Sequence, residues 1–183
     1  SDVDAGIVDE LDIAAVFISG NGASTDLYDP SDLAGLAAIV RTGRTPVFGF
    51  CGGMQFMGTT LGSRLDRIGR LADAADDPHP NYEPGWKKEL GYQPVELIGD
   101  HPLLVGIDRR PVFRHAHTQE LKDLPAGFVN LARTEVTELQ YLAHETLPLA
   151  GTQFHPEYWT DEHPAGRTLI ANFCAWAGVS RST

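Results

Sequence analysis

Two cysteines in 183 residues, Cys51 and Cys174, rule out a disulfide framework and leave at most a single bridge. Positive charge is also scarce. Fourteen Lys and Arg against 25 Asp and Glu give a net charge of −11, which disfavours unassisted contact with nucleic-acid phosphates or anionic lipid. No apolar run approaches the roughly 20 residues needed to span a bilayer. The opening Ser1-Asp2-Val3-Asp4 lacks the basic and apolar regions of a secretion signal. Low-complexity tracts, internal repeats and dividing linkers are missing too. These absences predict a cytoplasmic globular protein, one domain over residues 1–183, with neither nucleic acid nor membrane as a direct partner.

With 42% hydrophobic and 21% charged residues, a packed core is expected. The two cysteines sit in different settings. Cys174 lies within Phe173-Cys174-Ala175-Trp176, where apolar residues recur at helical spacing, and reads as a small core residue. Cys51 lies among glycines, where packing alone does not ask for a thiol.

The apolar run from Asp12 to Gly20 suits a buried strand. Ser31 is placed to cap a helix whose Leu33, Leu36, Ala37 and Val40 share one face, closed by Gly43. Pro46-Val47-Phe48-Gly49-Phe50 is a second strand running into Cys51. Beyond it, Met54, Met57 and Leu61 are spaced helically, so the cysteine falls at a strand-to-helix junction. This alternation predicts a layered α/β fold with a mostly parallel central sheet, flavodoxin-like, and ligands at the carboxyl ends of its strands. Residues 72–88 hold too much proline for regular structure and suggest a lid or docking loop. Further strands are expected over residues 92–98, 128–132, 139–143 and 147–154, and a final amphipathic helix around Phe173. Trp159 and Trp176 read as packing residues, whereas Trp86, in the proline-rich stretch, is a candidate anchor for a partner or a satellite hydrophobic contact.

Gly49-Phe50-Cys51-Gly52-Gly53 has the spacing of a nucleophile elbow, in which glycines let a strand turn sharply into a helix and leave the central side chain presented. The helix that follows aims free N–H groups and its positive end at the sulfur, which suits an anion there. His155-Pro156-Glu157 supplies a base and a carboxylate to orient it, the two expected to project from one side of an extended backbone. The bland alternative is a surface His and Glu flanking a turn. His115-Ala116-His117 places two imidazoles on one strand face, but no further Cys or His stands nearby to complete a metal set. No metal and no cofactor are therefore expected, and one of the two histidines is read as solvated.

Gly49-Phe50-Cys51-Gly52-Gly53-Met54-Gln55, together with Gly151-Thr152-Gln153-Phe154-His155-Pro156-Glu157, resembles the nucleophile and His/Glu motifs of the class I, or triad, glutamine amidotransferases. The similarity runs through Ile18-Ser19-Gly20, His117 and Leu124-Pro125-Ala126-Gly127-Phe128, and so covers residues 12–177. It implies hydrolysis of the glutamine side-chain amide, with ammonia passed to an acceptor on a synthase domain or subunit. It further implies Cys51 as nucleophile, His155 as base and Glu157 as its partner. Backbone N–H groups of Gly52 and of Gly20-Asn21 would form the oxyanion site, and Gln55 with Ala116, His117 and Thr118 would position glutamine. The chain departs from the family at Gly20-Asn21-Gly22, where Gly-Gly-Pro is usual, at Gly52, and at Thr118. It also lacks room for the usual first β-α unit, so a truncated amino end is expected. Two rivals use the same residues: a stand-alone γ-glutamyl amide or peptide hydrolase, and a catalytically silent binding module.

Overall fold

The computed structural model describes residues 3–20, 29–73 and 75–179. A short helix α1 (Ala5–Glu10), capped by Asp4, precedes strand β1 (Val16–Ile18). The strand is shorter than the apolar run suggests. A single 3-10 turn, Pro30–Leu33, leads into α2 (Ala34–Thr42). Its cap is Asp29, which accepts from the Ser31 N–H, so Ser31 lies inside the turn instead of capping it. Gly43 ends α2 in the left-handed region (φ 59°), as its position after the last periodic residue suggests.

Strand β2 (Val47–Phe50) and helix α3 (Gly52–Thr60) flank Cys51. Then follow β3 (Leu65–Arg67), β4 (Glu89–Pro94), β5 (Glu96–Leu97), β6 (Val112–His117), β7 (Gln119–Leu121), β8 (Phe128–Arg133), β9 (Tyr141–His144), β10 (Leu149–Thr152) and α4 (Ala165–Trp176). The expected strand at 92–98 is two pieces, β4 and β5, which join different partners. β3 and β7 are too short to show alternation and are additions to the expected set, whereas β6 alternates between half-buried and buried residues and carries the strand face read at His115 and His117.

The central sheet has the order β1-β2-β10-β9-β8-β5. Its first three strands are parallel, and β9, β8 and β5 are added antiparallel. The layered α/β class is as expected, but the sheet is mixed and not mostly parallel. Short connections from β8 through β9 to β10 allow hairpin pairing, which a parallel crossover of a dozen or more residues would not.

All four residues of β2 and all four of β10 are buried, because both sheet faces are covered. On one face Val47, Leu142 and Leu149 pack with Ile39, Val40, Met54 and Met57 of α2 and α3. On the other, Phe48, Phe50, Tyr141 and Ala150 pack with Leu169 and Phe173 of α4. The rings of Phe48 and Phe173 lie 4.6 Å apart, and truncating Phe173 to Ala would cost about 3–5 kcal/mol. Cys174 is partly buried against this aromatic layer, and both cysteines are free thiols. Trp176 packs there too, whereas Trp159 is 42% exposed and packs against the Arg167 guanidinium at the surface.

A separate two-stranded antiparallel sheet, β4 with β6, is joined to the α4 side by the stacked rings of Phe113 and Phe154, 4.0 Å apart. Residues 72–88 are irregular where described, as their proline content requires. No helix among the described residues is long and apolar enough to cross a membrane.

Candidate active site

Because β1, β2 and β10 are parallel, all three release the chain at one sheet edge, the position where α/β folds gather ligands. β1 delivers Gly20, β2 delivers Cys51, and β10 delivers Gln153 and His155. Cys51 adopts φ 48°, ψ −106°, a conformation costly for a non-glycine residue, and its N–H donates to Thr152 O at 2.7 Å. The elbow glycines permit this turn by close approach. A Cβ on Gly49 would fall 2.5 Å from the backbone of Gly53, and one on Gly53 would fall 2.0 Å from Ile18 O. Cys51 thus stands directly before the first turn of α3, whose leading N–H groups have no intrahelical partner.

His155 is held by its own backbone, whose N–H donates to Arg114 O at 2.8 Å. Its Nδ1 lies 2.7 Å from Glu157 Oε1. The expected extended backbone is not what joins them. Residues Pro156–Tyr158 form a 3-10 turn, which folds Glu157 back onto the imidazole. Proline favours that turn because its fixed φ suits the first helical position. Burial pulls the His155 pKa down, but hydrogen bonds to Cys51 and Glu157 outweigh it and raise the value from the usual 6.5 to about 9. With Nδ1 facing Glu157, Nε2 is the nitrogen left for the thiol. The favoured state at neutral pH is an imidazolium beside the sulfur.

Gly20 faces this pair closely: a Cβ there would sit 2.8 Å from His155 Cε1 and 3.5 Å from Cys51 Cβ. Asn21, the other expected oxyanion residue of this loop, lies outside the described residues. Gln55 and Gln153 form a buried bridge to the sulfur. Gln55 Nε2 donates to Gln153 Oε1 and to Gln119 O, each at 3.1 Å, and Gln153 Nε2 lies 3.6 Å from Cys51 Sγ. The amide nitrogen of Gln55 is thereby committed, which leaves its carbonyl oxygen for a ligand. Gln153 stands within the second motif, yet nothing in the sequence marks it as a partner of the thiol.

These groups open into a cavity of about 880 Å³, which Gly20, Gly52, Gln55 and residues 116–118 also line. The proline-rich segment forms its rim through Tyr82 and Glu83. Two devices hold that rim. The buried Lys88 ammonium donates to Asp77 Oδ2 (3.0 Å), His79 O (3.1 Å) and Glu83 O (2.9 Å). N–H groups of Gly85 and His79, with Lys88, hold the Asp77 pKa down to about 2. Arg67 is the second: its guanidinium lies 2.7 Å from Glu83 Oε2 and 3.2 Å from Thr118 Oγ1. Arg67 and Arg70 both lie over the Trp86 ring, at 4.6 and 3.8 Å, so Trp86 serves as a cation platform within the chain.

Residues 115 and 117 depart from expectation. Neither histidine is solvated; His115 is 0% and His117 3% exposed. Both cluster with Glu89, which stands opposite His117 in the β4–β6 register. A third ligand-type side chain therefore does complete the set, one that sequence proximity could not supply. Burial pushes the His115 pKa down to about 4, so that ring is neutral at physiological pH. His117 also lines the cavity, as expected of a residue in the 116–118 segment.

A thiol at a strand-helix elbow, an imidazolium held by a carboxylate, and unpaired N–H groups at the edge of an α/β sheet define a site fit for acyl transfer through sulfur. The chain belongs to the class I glutamine amidotransferase family: the family described as "Glutamine amidotransferase class-I" matches residues 3–176. Its relatives include a subunit of the glutamine-hydrolyzing GMP synthase of Thermococcus kodakarensis, 30% identical over 133 residues, which are 73% of this chain and 61% of that protein. The match thus spans less than two-thirds of that relative's length. The glutamine-hydrolyzing GMP synthase of Thermomicrobium roseum is 33% identical over 94% of this chain, a match that spans 28% of the longer protein. A crystal structure from Thermoplasma acidophilum, provisionally assigned as a GMP synthase subunit, superposes with a TM-score of 0.76 over 97% of this chain and 78% of that one. At 21% identity it bears on the fold alone.

Proposed function

We propose that this chain is a glutaminase module that hydrolyses the side-chain amide of glutamine through a thioester on Cys51 and passes the ammonia to a synthase domain or subunit. The observation that carries this reading is the relay of Cys51, His155 and Glu157 at the mouth of the cavity. Membership of the family and the glutamine-hydrolysing names of its relatives support the substrate. The paired charges of Arg67 and Glu83 on the cavity wall complement the carboxylate and ammonium of a free amino acid.

In this scheme the Cys51 thiolate attacks the amide carbon, and the oxyanion is met by the N–H of Gly52 and by the loop at Gly20. Loss of one such donor raises a barrier by about 2.7–4 kcal/mol. The His155 imidazolium gives its proton to the departing nitrogen, releasing ammonia and leaving a γ-glutamyl thioester. Neutral His155 then takes a proton from water, which attacks the thioester to form glutamate and regenerate the thiolate. Glu157 holds the ring and stabilises its charged form.

The test is glutamine hydrolysis by the chain and by Cys51→Ala, with mass analysis of the wild type after exposure to an electrophilic glutamine analogue. A single adduct on Cys51 and loss of turnover in the variant are expected. Hydrolysis that survives Cys51→Ala would overturn the mechanism. Stimulation of ammonia release by a synthase partner separates this reading from a stand-alone hydrolase, which would run at full rate without one.

A further inference from the structure

We propose that Glu89, His115 and His117 form a buried binding site for a divalent transition metal of the zinc class, set behind the strand that carries residues 116–118 along the cavity. The site follows from strand geometry. Glu89 and His117 are directly opposed in the β4–β6 register, and His115, two residues before His117, shares its face. The three side chains are 1%, 0% and 3% exposed for Glu89, His115 and His117.

Their spacing suits one ion. His117 Nε2 and His115 Nδ1 lie 2.9 and 3.8 Å from Glu89 Oε2, and all three ligand atoms fall within 4.8 Å of one another. Donors placed about 2.0–2.1 Å from a tetrahedral ion stand about 3.3 Å apart, midway between the two shorter separations. Two imidazoles and a carboxylate are also a zinc-type donor set.

Hydrogen bonding supports the same assignment. Both ring nitrogens of His115, Nε2 of His117 and Oε1 of Glu89 make no hydrogen bond among the described residues. His117 Nε2 lies 2.9 Å from Glu89 Oε2 without hydrogen-bond alignment. Buried polar atoms left this way are uncommon and call for an ion or a water. His117 Nδ1 lies 3.0 Å from Gln119 O. A carbonyl only accepts, so Nδ1 donates there and Nε2 is the nitrogen turned toward Glu89. Carbonyl partners of this kind fix the tautomer of metal-binding histidines. Gln140 Nε2 donates to Glu89 and orients the carboxylate.

The alternative arrangement is a metal-free ion pair of protonated His117 with Glu89, which leaves both nitrogens of His115 without partners. Untagged protein, purified from zinc-supplemented culture, would be assayed by plasma mass spectrometry, and its metal-stripped form titrated with Zn²⁺ and Co²⁺. About one equivalent of metal per chain is expected. X-ray absorption of the wild type should show only nitrogen and oxygen neighbours, and cobalt should give four-coordinate visible bands. Metal should persist in Cys51→Ala and be lost from Glu89→Gln and His115→Phe, each checked for folding by circular dichroism. The proposal is overturned if stripped wild type takes up neither ion at micromolar concentration. It is equally overturned if the bound metal has a sulfur neighbour, or leaves with Cys51. The absorption spectrum decides the matter on the wild type even where a variant does not fold.

Discussion

Glu157 Oε1 stands 2.7 Å from Nδ1 of His155, two residues away, because a single 3-10 turn at Pro156 folds the carboxylate back beneath the ring. That contact helps hold the imidazolium against the cost of burial, and it sets the pH behaviour of the site. His155 titrates near 9 in the folded chain against an ordinary 6.5, so its bound proton stabilises the fold. The contribution is full below about 6.5 and is lost as pH rises through about 9.

Glu157→Gln removes the negative charge and lowers the His155 pKa. The alkaline limb of kcat/KM for glutamine is expected to move to lower pH, with kcat reduced by about 10²–10⁴. A pH–rate profile of wild type and variant checks this; an unmoved alkaline limb would contradict the role given to Glu157.

Gly20→Ala places a methyl group 2.8 Å from His155 Cε1. The ring must shift off the thiol, and misplacement of that order costs on the order of 10² in kcat. The melting temperature should change little, because the pressure falls on one side chain at the cavity edge. Steady-state kinetics and a thermal melt together separate the two effects.

Gln153→Leu breaks the bridge between Gln55 and the Cys51 sulfur while keeping an apolar fill. A loss of about 1–2 kcal/mol in unfolding free energy is expected, since the Gln55 amide keeps only Gln119 O as a partner. KM for glutamine should rise with it. Urea unfolding and initial-rate measurements give both numbers.

Lys88→Met leaves Asp77 and the loop carbonyls without their shared donor in a buried setting. The rim at residues 77–85 loses the donor that gathers it and should become the first site of limited proteolysis. In the wild type the Asp77 contribution is present above 3.8 and lost as pH falls through about 2, so the rim should resist mild acid.

The residues of the relay are legible in the sequence because each is announced locally. Cys51 sits among glycines that only a sharp strand-to-helix turn requires, and His155 and Glu157 lie in one short motif. The α/β layering is legible for the same reason, since the strand at Phe50 and the helix at Met54 and Met57 differ in period. The short strands at 65–67 and 119–121 are not, because three residues cannot establish a period. Sheet direction is hidden as well: apolar runs such as Leu149–Thr152 read alike in either pairing, and connection length decides between them.

The sequence alone determined which chemical groups are available and the local turns that present them: a thiol at an elbow, an imidazole with a carboxylate two residues on, an irregular stretch rich in proline. Only the tertiary structure decided which distant groups meet. Glu89 joins His115 and His117 through an antiparallel register, Gln55 reaches Gln153 across 98 residues, and Lys88 ties down the loop that precedes it. Such contacts depend on strand pairing and burial summed over the whole chain, and no local pattern of residues encodes them.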